Sequence, residues 1–466
     1  MKLQFLGGAR EVGRSAVLVN DALLLDFGLK TADPPQYPVG SLRSGPAADA
    51  EAVVVSHGHL DHAGAVPALL SGDRRPTVHW TPPTRELALT LARDTLKLHG
   101  GTPRCPFTEE DVRRLTEVSE THGYREPFEA AGHRVEFFDA GHIPGSAHVL
   151  VDDTEVWGTS SSRTRSDDTE VRSTSSSRIR SDDGGTRLLY TGDFHAGGRG
   201  QRLVPSSTAR PEADVVVTES TYADVDHEPR EAVEERFVES VRSTLWEGGT
   251  VVVPAFAIGR TQEMMLVCAA HDIDCYVDGM GVEVTRRLRR HPEFLRDADA
   301  MSRAVSNARF VGGRDGPRGS GAPTNDAGRT ASRGQRQRIA DQSTVIITTA
   351  GMLSGGPAMT YVPEIHANPV NKLCFSGYQV EGTPGREVLD TGAAEIGDRH
   401  LRVSATVEAY DFSAHADREG LFSFLEAYRD TPLLVTHGDS CSWFADELEA
   451  RGHDAQAPEP GEVIEV

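Results

Sequence analysis

The segment VVVSHGHLDHAGAVPALL, residues 53–70, places three histidines and one aspartate within six residues, directly after an apolar run. His57 and His59 are two positions apart, so their side chains point to the same side of an extended segment. Asp61 and His62 follow where the chain turns into the helix-like run AVPALL, which brings a second pair beside the first. A helix cap with exposed histidines is the simpler interpretation, but so many ligand-type residues in one motif favour a metal site.

Imidazole nitrogens and carboxylate oxygens in this mixture suit zinc, and manganese or iron is the alternative. Four such ligands cannot all bind one tetrahedral ion that also keeps a water, so the spacing indicates a two-metal site. Further ligand-type residues follow apolar runs elsewhere: His142 in GHIPGSA, Asp193 in YTGDF and His437 in VTHGD. Glycine beside each of them lets the backbone approach a bound ion or substrate. With the first cluster they give seven candidate ligands, enough for two ions that share a bridging carboxylate.

The composition is acidic and poor in lysine. The 466 residues have a formal net charge of −22 at pH 7, and only four are lysine, so nearly all basic residues are arginine. This pattern favours a protein of a salt-loving microbe, because at about 1 M salt the Debye length is only about 3 Å and self-repulsion is screened. An ordinary acidic protein is the alternative. The length is sufficient for two or three domains.

Neither a membrane span nor a signal peptide is predicted. No run of about 20 apolar residues occurs, and the first residues alternate like a strand and are charged throughout. We therefore expect a cytoplasmic protein without membrane contact. The five cysteines are scattered and odd in number, which supports neither a disulfide framework nor a thiolate zinc site.

Two polar tracts interrupt an otherwise regular pattern of predicted strands and helices. A tandem duplication, DDTEVWGTSSSRTRS followed by DDTEVRSTSSSRIRS, begins at residue 152. It contains almost nothing to bury, so we expect a disordered insert over 152–185. A second tract, rich in glycine and arginine, predicts a flexible insert over 312–337.

Several motifs resemble those of a known family. SHGHLDH is similar to the His-x-His-x-Asp-His signature of the metallo-β-lactamase superfamily, and GHIPGSA and YTGDF match its following motifs in order. The segments VVTESTY, VPAFAIGRTQE, TTAGMLSGGP, SGYQVEGTPGR and DFSAHAD resemble the β-CASP insertion of nucleases in that superfamily. Apart from the polar tracts, nearly the whole chain resembles archaeal and bacterial relatives of the endonuclease subunit of the cleavage and polyadenylation specificity factor.

The resemblance implies an α/β fold, namely a metallo-β-lactamase αββα sandwich with an inserted β-CASP α/β domain. The expected boundaries are 1–222 for the first part of the metallo-β-lactamase domain, 223–390 for the β-CASP domain, and 391–466 for the C-terminal part of the first domain.

The resemblance also implies a ligand set for two Zn²⁺ ions, with Mn²⁺ as the alternative. One ion would be held by three histidines and the other by two histidines and a carboxylate, with a second carboxylate between them. The implied ligands are His57, His59 and His142 for the first ion, Asp61, His62 and His437 for the second, and Asp193 as the bridge.

Three residues are implied as catalytic: Asp61 among the ligands, and Glu219 and His415 at the two β-CASP catalytic positions. A hydroxide between the two ions would attack the phosphorus of a phosphodiester. His415 would donate a proton to the leaving oxygen or bind the phosphate, and Glu219 would orient His415. Asp26, in LLLDFG, matches the first motif of the superfamily, which is mainly structural.

The expected substrate is single-stranded RNA, in mRNA 3′-end processing or RNA turnover. His437 resembles the RNA-acting members, since DNA-acting relatives generally have valine there. The charge of −22 should repel a polyanion, but counterion release contributes little to binding in concentrated salt. We therefore expect affinity to come from the metals and a few arginines, with Arg260 and Arg386 as candidates. Relatives often dimerise, so a homodimer is one expected state.

Two other functions are compatible with parts of the sequence. A metallo-hydrolase of a small ester or thioester would need the same metal core, although not the second domain with Glu219 and His415. A scaffold without catalytic activity is the third option, and the presence of all seven ligand-type residues argues against it.

Overall fold

The computed structural model describes residues 1–32, 34–40, 45–153, 185–197, 200–312 and 331–466. Most of the two inserts predicted at 152–185 and 312–337 therefore lies outside the described residues. Arg333–Ala340 forms a helix, and the Ser332 side chain caps it by accepting a hydrogen bond from the Gln335 amide. The prediction of flexible chain as far as residue 337 is therefore wrong at its C-terminal end.

The described residues form 22 strands. In chain order they are β1 Lys2–Gly7, β2 Ala16–Val19, β3 Leu23–Leu25, β4 Ala52–Val54, β5 Thr77–Trp80, β6 Ser119–Thr121, β7 Phe128–Ala130, β8 His133–Asp139, β9 Ala147–Asp152, β10 Arg187–Tyr190, β11 Val215–Thr218, β12 Val251–Pro254, β13 Cys275–Asp278, β14 Ala308–Val311, β15 Val345–Thr348, β16 Lys372–Phe375, β17 Ala393–Glu395, β18 His400–Arg402, β19 Thr406–Ala409, β20 Leu433–Val435, β21 Ala455–Gln456 and β22 Val463–Glu465.

The same residues form twelve α-helices and four short 3-10 helices. The α-helices are α1 Leu60–Ala63, α2 Pro82–His99, α3 Glu109–Glu117, α4 Arg230–Trp246, α5 Arg260–Ala270, α6 Met280–Leu288, α7 Ala298–Asn307, α8 Arg333–Ala340, α9 Ala358–Ile365, α10 Pro384–Thr391, α11 Arg418–Leu425 and α12 Cys441–Ala450. The 3-10 helices are Pro46–Asp49, Val66–Leu70, Pro292–Phe294 and Glu426–Tyr428. No helix among the described residues is long and apolar enough to span a membrane.

Two seven-stranded sheets pack face to face. Their strand orders are β22-β1-β2-β3-β4-β5-β6 and β21-β20-β11-β10-β9-β8-β7. Buried side chains from both sheets meet in one core, such as Phe5 and Leu25 from the first sheet and Phe137 and Val217 from the second. Alternation along the strands leaves the other face of each sheet apolar as well, so each needs a covering layer.

Helices supply these covering layers. Leu89 of α2 and Leu115 of α3 pack on the outer face of the first sheet. Phe424 of α11 and Phe444 of α12 pack on the outer face of the second sheet. The result is the αββα sandwich that the sequence predicted.

A third sheet forms the second unit of the fold. It has six parallel strands in the order β14-β13-β15-β12-β16-β19. Helices α4, α5 and α7 pack on one face and α8, α9 and α10 on the other, as expected for a parallel sheet buried on both faces. Strand β19 pairs with β16 and ends at Ala409. The second unit therefore extends past residue 390, where the sequence predicted its end, because this last strand completes the sheet.

The sheet topology brings the candidate site residues together. Strands β3 and β4 are parallel neighbours in the first sheet, and β10, β11 and β20 are parallel neighbours in the second. The carboxyl ends of parallel neighbours lie at the same edge of a sheet. Residues just after these strands include Asp26, His57, His59, Asp193, Glu219 and His437.

The Glu263 carboxylate joins the two units. It lies buried in α5, accepts hydrogen bonds from the backbone N–H groups of Arg202 (3.1 Å) and Leu203 (2.9 Å), and pairs with the buried guanidinium of Arg230. We expect Glu263→Ala to lower the free energy of unfolding by about 3–5 kcal/mol, because it leaves Arg230 as an uncompensated buried charge. The midpoint of thermal unfolding measures the loss.

The matched control is Glu235→Ala, which removes an exposed glutamate of α4. It should change the stability by no more than about 0.5 kcal/mol. Equal midpoints for the two variants would show that Glu263 does not stabilise the contact between the units.

Candidate metal centre

Three histidines form one half of a buried cluster. His57 and His59 lie on the loop after β4, and His142 lies on the loop between β8 and β9. The Nδ1 atom of His59 is 3.1 Å from His57 Nε2 and 3.1 Å from His142 Nε2. One ligand atom from each, together with a carboxylate oxygen of Asp193, falls within a span of 4.8 Å. Three imidazoles and a carboxylate at this spacing match a four-ligand metal site.

A second group of ligand atoms lies beside the first. Asp61 and His62 belong to α1, and His437 follows β20. The His437 Nε2 atom is 3.7 Å from Asp61 Oδ2. With Asp193, these three residues also place one ligand atom each within 4.8 Å of one another.

The Asp193 carboxylate lies between the two groups and directs one oxygen to each. Its Oδ2 is 3.6 Å from His57 Nε2 and 3.9 Å from His142 Nε2. Its Oδ1 is 3.1 Å from His62 Nε2 and 3.5 Å from His437 Nε2. Burial raises the pKa of Asp193, but the neighbouring histidines lower it more, so that it lies well below the usual value. The Asp193 carboxylate therefore presents one oxygen to each of the two groups of possible ligand atoms.

The nitrogen and oxygen atoms of the cluster are arranged better for binding divalent cations than for hydrogen-bonding to one another. His62 Nε2 and Asp193 Oδ1 are buried and have no hydrogen-bond partner of acceptable geometry among the described residues, although they are only 3.1 Å apart. Leaving such atoms unpaired is costly, and a metal ion would satisfy both. Burial and the neighbouring imidazoles also lower the pKa values of His57 and His142 well below normal, which favours the neutral, metal-binding form.

Hydrogen bonds on the far side of the ligand rings fix their orientation. His142 Nδ1 donates to the Ala414 carbonyl at 3.0 Å, and His437 Nδ1 lies 2.7 Å from Ser15 Oγ. His62 Nδ1 lies 2.7 Å from Asp26 Oδ2. In all three cases Nε2 is the atom directed into the cluster. Partners of this kind set the tautomer and the aim of a metal-binding imidazole.

Asp26 itself is fully buried and held on three sides. Its carboxylate accepts hydrogen bonds from the Ser56 amide (2.7 Å), the Ser56 hydroxyl (2.7 Å) and the Tyr190 hydroxyl (2.8 Å), besides contacting His62. Burial lowers the pKa of His62, but the charges of Asp193 and Asp26 outweigh this and raise it well above normal. Asp26 therefore orients a ligand from behind and does not face the cluster centre.

Glu219 and His415 form a hydrogen-bonded pair next to the cluster. His415 Nδ1 lies 3.0–3.1 Å from the two oxygens of Glu219, and Glu219 Oε1 also accepts from the Phe194 amide at 2.7 Å. His415 Nε2 points toward the cluster, 4.0 Å from Asp193 Oδ2. Burial lowers the pKa of His415, but Glu219, followed by Asp193 and Asp61, raises it to about 9. The His415 imidazole thus faces the place where the two ligand groups meet.

The two candidate arginines differ in burial and in their distance from the site. Arg260 begins α5, and its buried Nε atom has no hydrogen-bond partner in the part of the chain that the structure describes. Burial lowers the pKa of Arg260 to about 10. One of the titratable neighbours of Arg260 is Tyr222, whose ring lies 5.7 Å from the ring of His415. Arg386 instead lies at the surface of α10 and pairs with Asp390 at 2.8 Å. The structure brings Arg260, and not Arg386, toward the site.

Two histidines near the motifs are held by other groups. His148 donates from Nδ1 to the Thr191 carbonyl at 2.8 Å, and His195 Nδ1 lies 3.0 Å from Ser206 Oγ. Neither belongs to the groups of close ligand atoms, in line with their interpretation as neighbours. A separate group that the sequence did not indicate joins His79, Glu120 and His122 at the edge of the first sheet, where both rings stack on Phe128.

Comparison with family models identifies three consecutive regions. The metallo-beta-lactamase superfamily model matches residues 9–236, the Beta-Casp domain model matches residues 261–388, and the model of the Zn-dependent metallo-hydrolase RNA specificity domain matches residues 400–458. The three matches follow the order of the structural units described above.

Three archaeal proteins are among the curated relatives with similar sequences. The chain is 31% identical to the RNase aCSPSF2 of Saccharolobus solfataricus over all of this chain and 85% of that protein. It is 29% identical to a probable RNase of Methanocaldococcus jannaschii over the full length of both, and 30% identical to the transcription termination factor FttA of Pyrococcus horikoshii, over 94% of this chain and 66% of that protein.

A solved structure shares the fold. The crystal structure of a protein of unknown function from Enterococcus faecalis aligns over 99% of both chains with a TM-score of 0.57 and 13% identity. The matched models and the identity to aCSPSF2 show that the chain belongs to the β-CASP ribonuclease family of the metallo-β-lactamase superfamily.

Proposed function

We propose that this chain hydrolyses phosphodiester bonds of single-stranded RNA at a centre of two divalent metal ions, in mRNA 3′-end processing or RNA turnover. The observation that supports this most directly is the Asp193 carboxylate, whose two oxygens face two separate groups of ligand atoms. The Glu219–His415 pair beside it adds an acid where a leaving group would be. Relatives that are named RNases support RNA as the substrate.

The proposed metals are two Zn²⁺ ions, with Mn²⁺ as the alternative. Nitrogen and carboxylate donors suit both metals, and the matched model of a Zn-dependent metallo-hydrolase domain favours zinc. His57, His59 and His142 would hold one ion, Asp61, His62 and His437 the other, and Asp193 both. Bound there, the metals supply a nucleophile at neutral pH and offset negative charge on the phosphate.

The chain's own groups then position the substrate and move the proton. Glu219 accepts a hydrogen bond from His415 Nδ1 and so keeps Nε2 directed at the cluster. A proton at Nε2 can pass to the leaving 3′ oxygen or bind a phosphate oxygen, and hydrolysis leaves a 5′-phosphate and a 3′-hydroxyl. The guanidinium of Arg260, which has Tyr222 among its neighbours, supplies a positive charge for a phosphate near the site.

The small-ester alternative does not account for the second unit. A compact hydrolase of small esters needs only the metal core, whereas this chain adds a six-stranded unit that matches the Beta-Casp domain model. The relatives with which it aligns along its whole length are named RNases. We therefore do not retain ester hydrolysis as a second candidate.

The central test is cleavage of end-labelled single-stranded RNA by metal-loaded protein in high salt. We expect cleavage by the unchanged protein and a rate at least about 100-fold lower for His59→Ala, because the first ion loses a ligand. Gel separation of the products distinguishes internal cuts from stepwise removal of 5′ nucleotides. Equal rates for the two proteins would mean that a contaminant cleaves the RNA.

A second prediction concerns the residue behind the ligands. Asp26→Asn keeps the shape of the side chain but removes the charge that faces His62 Nδ1, so we expect metal affinity to fall by about 10- to 100-fold. Competition with a chelator, read by elemental analysis of the dialysed protein, measures the change. The control Asp21→Asn alters an exposed aspartate that pairs with Lys2. An equal loss of metal in both variants would contradict the role of Asp26.

A third prediction separates proton transfer from metal binding. His415→Ala should lower the rate of RNA cleavage by about 10²–10⁴-fold, because it removes the acid, while the metal content stays the same. His400→Ala, which changes an exposed histidine of β18, is the matched control and should retain full activity. Loss of bound metal from the His415 variant would instead place this residue among the ligands.

A further inference from the structure

The parallel sheet of the second unit has a crevice at the carboxyl ends of two neighbouring strands. The chain leaves β12 for β13 on one side of the sheet and leaves β16 for β19 on the other side. The loops after β12 and β16 therefore diverge although the strands themselves are paired. In open α/β sheets, ligands bind in the crevice where the connections reverse in this way.

Two exposed aromatic side chains lie on the two loops at this crevice. Phe256 follows β12 and is 46% exposed, and Tyr378 follows β16 and is 56% exposed. Val380, two residues further along the second loop, is 44% exposed. Because β12 and β16 are paired, these side chains expose apolar surface at one edge of the sheet, and exposed apolar surface of this kind is typical of a binding site.

The backbone beneath both aromatic residues is fixed. The Phe256 carbonyl accepts hydrogen bonds from the Thr261 amide (3.0 Å) and the Thr261 hydroxyl (2.7 Å). The Tyr378 carbonyl accepts one from Gln379 Nε2 at 3.2 Å, and the same amide group reaches the Gly377 carbonyl at 3.3 Å. These hydrogen bonds restrain the backbone that carries both rings, which lowers the entropy cost of stacking on a ligand.

Arg260 also borders the crevice. Its Nε atom is 4.0 Å from the point where a Cβ of Gly377 would lie, so the guanidinium faces the backbone of the second loop. This nitrogen is buried and has no hydrogen-bond partner among the described residues, and such a guanidinium favours an anionic ligand. Arg260 interacts electrostatically with Tyr222, whose ring is 5.7 Å from that of His415, so the crevice lies next to the Glu219–His415 pair.

We propose that this crevice is an RNA subsite, in which Arg260 binds a phosphate next to the scissile bond and Phe256 and Tyr378 stack on the adjoining bases. The inference rests on the proposed ribonuclease function and adds the part of the RNA that the second unit binds. Stacking on aromatic rings suits single strands of any sequence. It also suits a chain with a net charge of −22, because stacking does not depend on long-range attraction of a polyanion.

The test is a scan with abasic nucleotides on the full-length protein. A set of single-stranded RNAs has one abasic nucleotide at each position around the cleavage site, and KM and kcat are measured for each. With the unchanged protein we expect one or two positions where the loss of the base raises KM by about 10- to 100-fold, the effect of losing one stacked base. With the double variant Phe256→Ala, Tyr378→Ala, the intact RNA should already show the raised KM, and the abasic nucleotides should have no further effect.

A control variant and a stability measurement exclude a loss of folding as the explanation. Trp246→Ala, which removes a 92% exposed ring on α4, should behave like the unchanged protein. The double variant should unfold at the same temperature as the unchanged protein, because both of its substitutions are at exposed side chains. The proposal is overturned when abasic nucleotides raise KM equally in the double variant and the unchanged protein, or when no position responds in either.

The same scan distinguishes failure of this inference from failure of the proposed function. Fluorescence anisotropy of the labelled RNAs reports binding even where no cleavage occurs. An unchanged protein that does not cut RNA but still loses affinity for abasic RNAs, in a manner abolished by the double variant, would refute the ribonuclease proposal and support the subsite.

Discussion

The fold buries a cluster of nitrogen and oxygen atoms that cannot all form hydrogen bonds with one another. Asp193 is only 2% exposed. Its two oxygens lie 3.1–3.6 Å from Nε2 atoms of three histidines, namely His57, His62 and His437. His57 Nε2 also lies 3.1 Å from His59 Nδ1. Burying a carboxylate and so many imidazoles costs free energy unless a cation shares them. This arrangement is therefore the feature on which the rest depends, because the strand ends, the orienting hydrogen bonds and the neighbouring acid are all placed relative to it.

Two sheet architectures contribute different parts of the site. The sandwich provides the ligands, since its parallel strands β3 and β4 on one sheet and β10, β11 and β20 on the other end at neighbouring positions. Among the described residues, the second unit contributes none of the ligands proposed for the two ions, although His415 forms a further group of possible ligand atoms with Asp193 and Glu219. This unit delivers Arg260 at the start of α5 and leads through β19 to His415. The proposed metal ligands and the proposed substrate contacts thus lie on separate parts of the fold, which meet at the Glu219–His415 pair.

The ligand-type residues could be predicted because their motifs are local. His57, His59, Asp61 and His62 lie within six residues, and His142, Asp193 and His437 each follow an apolar run that predicts a strand end. The orienting partners could not be predicted in this way. Tyr190 contacts Asp26 across 164 positions and Ser15 contacts His437 across 422, and a hydroxyl residue in a strand or loop has no pattern that indicates such a partner.

The same limit explains the two errors in the predicted organisation. The second unit was expected to end at residue 390, but β19 completes its sheet by pairing with β16, and a short strand after a turn gives no signal of the sheet to which it belongs. Arg336 was assigned to a flexible tract because its neighbours are polar, yet it lies in a helix and pairs with the buried Asp278 at 2.7 Å. A single long-range ion pair can decide the structure of a segment whose composition predicts none.

The hydrogen bond between Glu219 and His415 also acts as an interlock. Glu219 lies at the end of β11 in the sandwich, whereas His415 follows the last strand of the second unit, and one residue earlier the Ala414 carbonyl accepts from His142. A relative displacement of the two units would lengthen both hydrogen bonds at once. The position of the proposed acid and the aim of the His142 imidazole therefore depend on the same contact between the units.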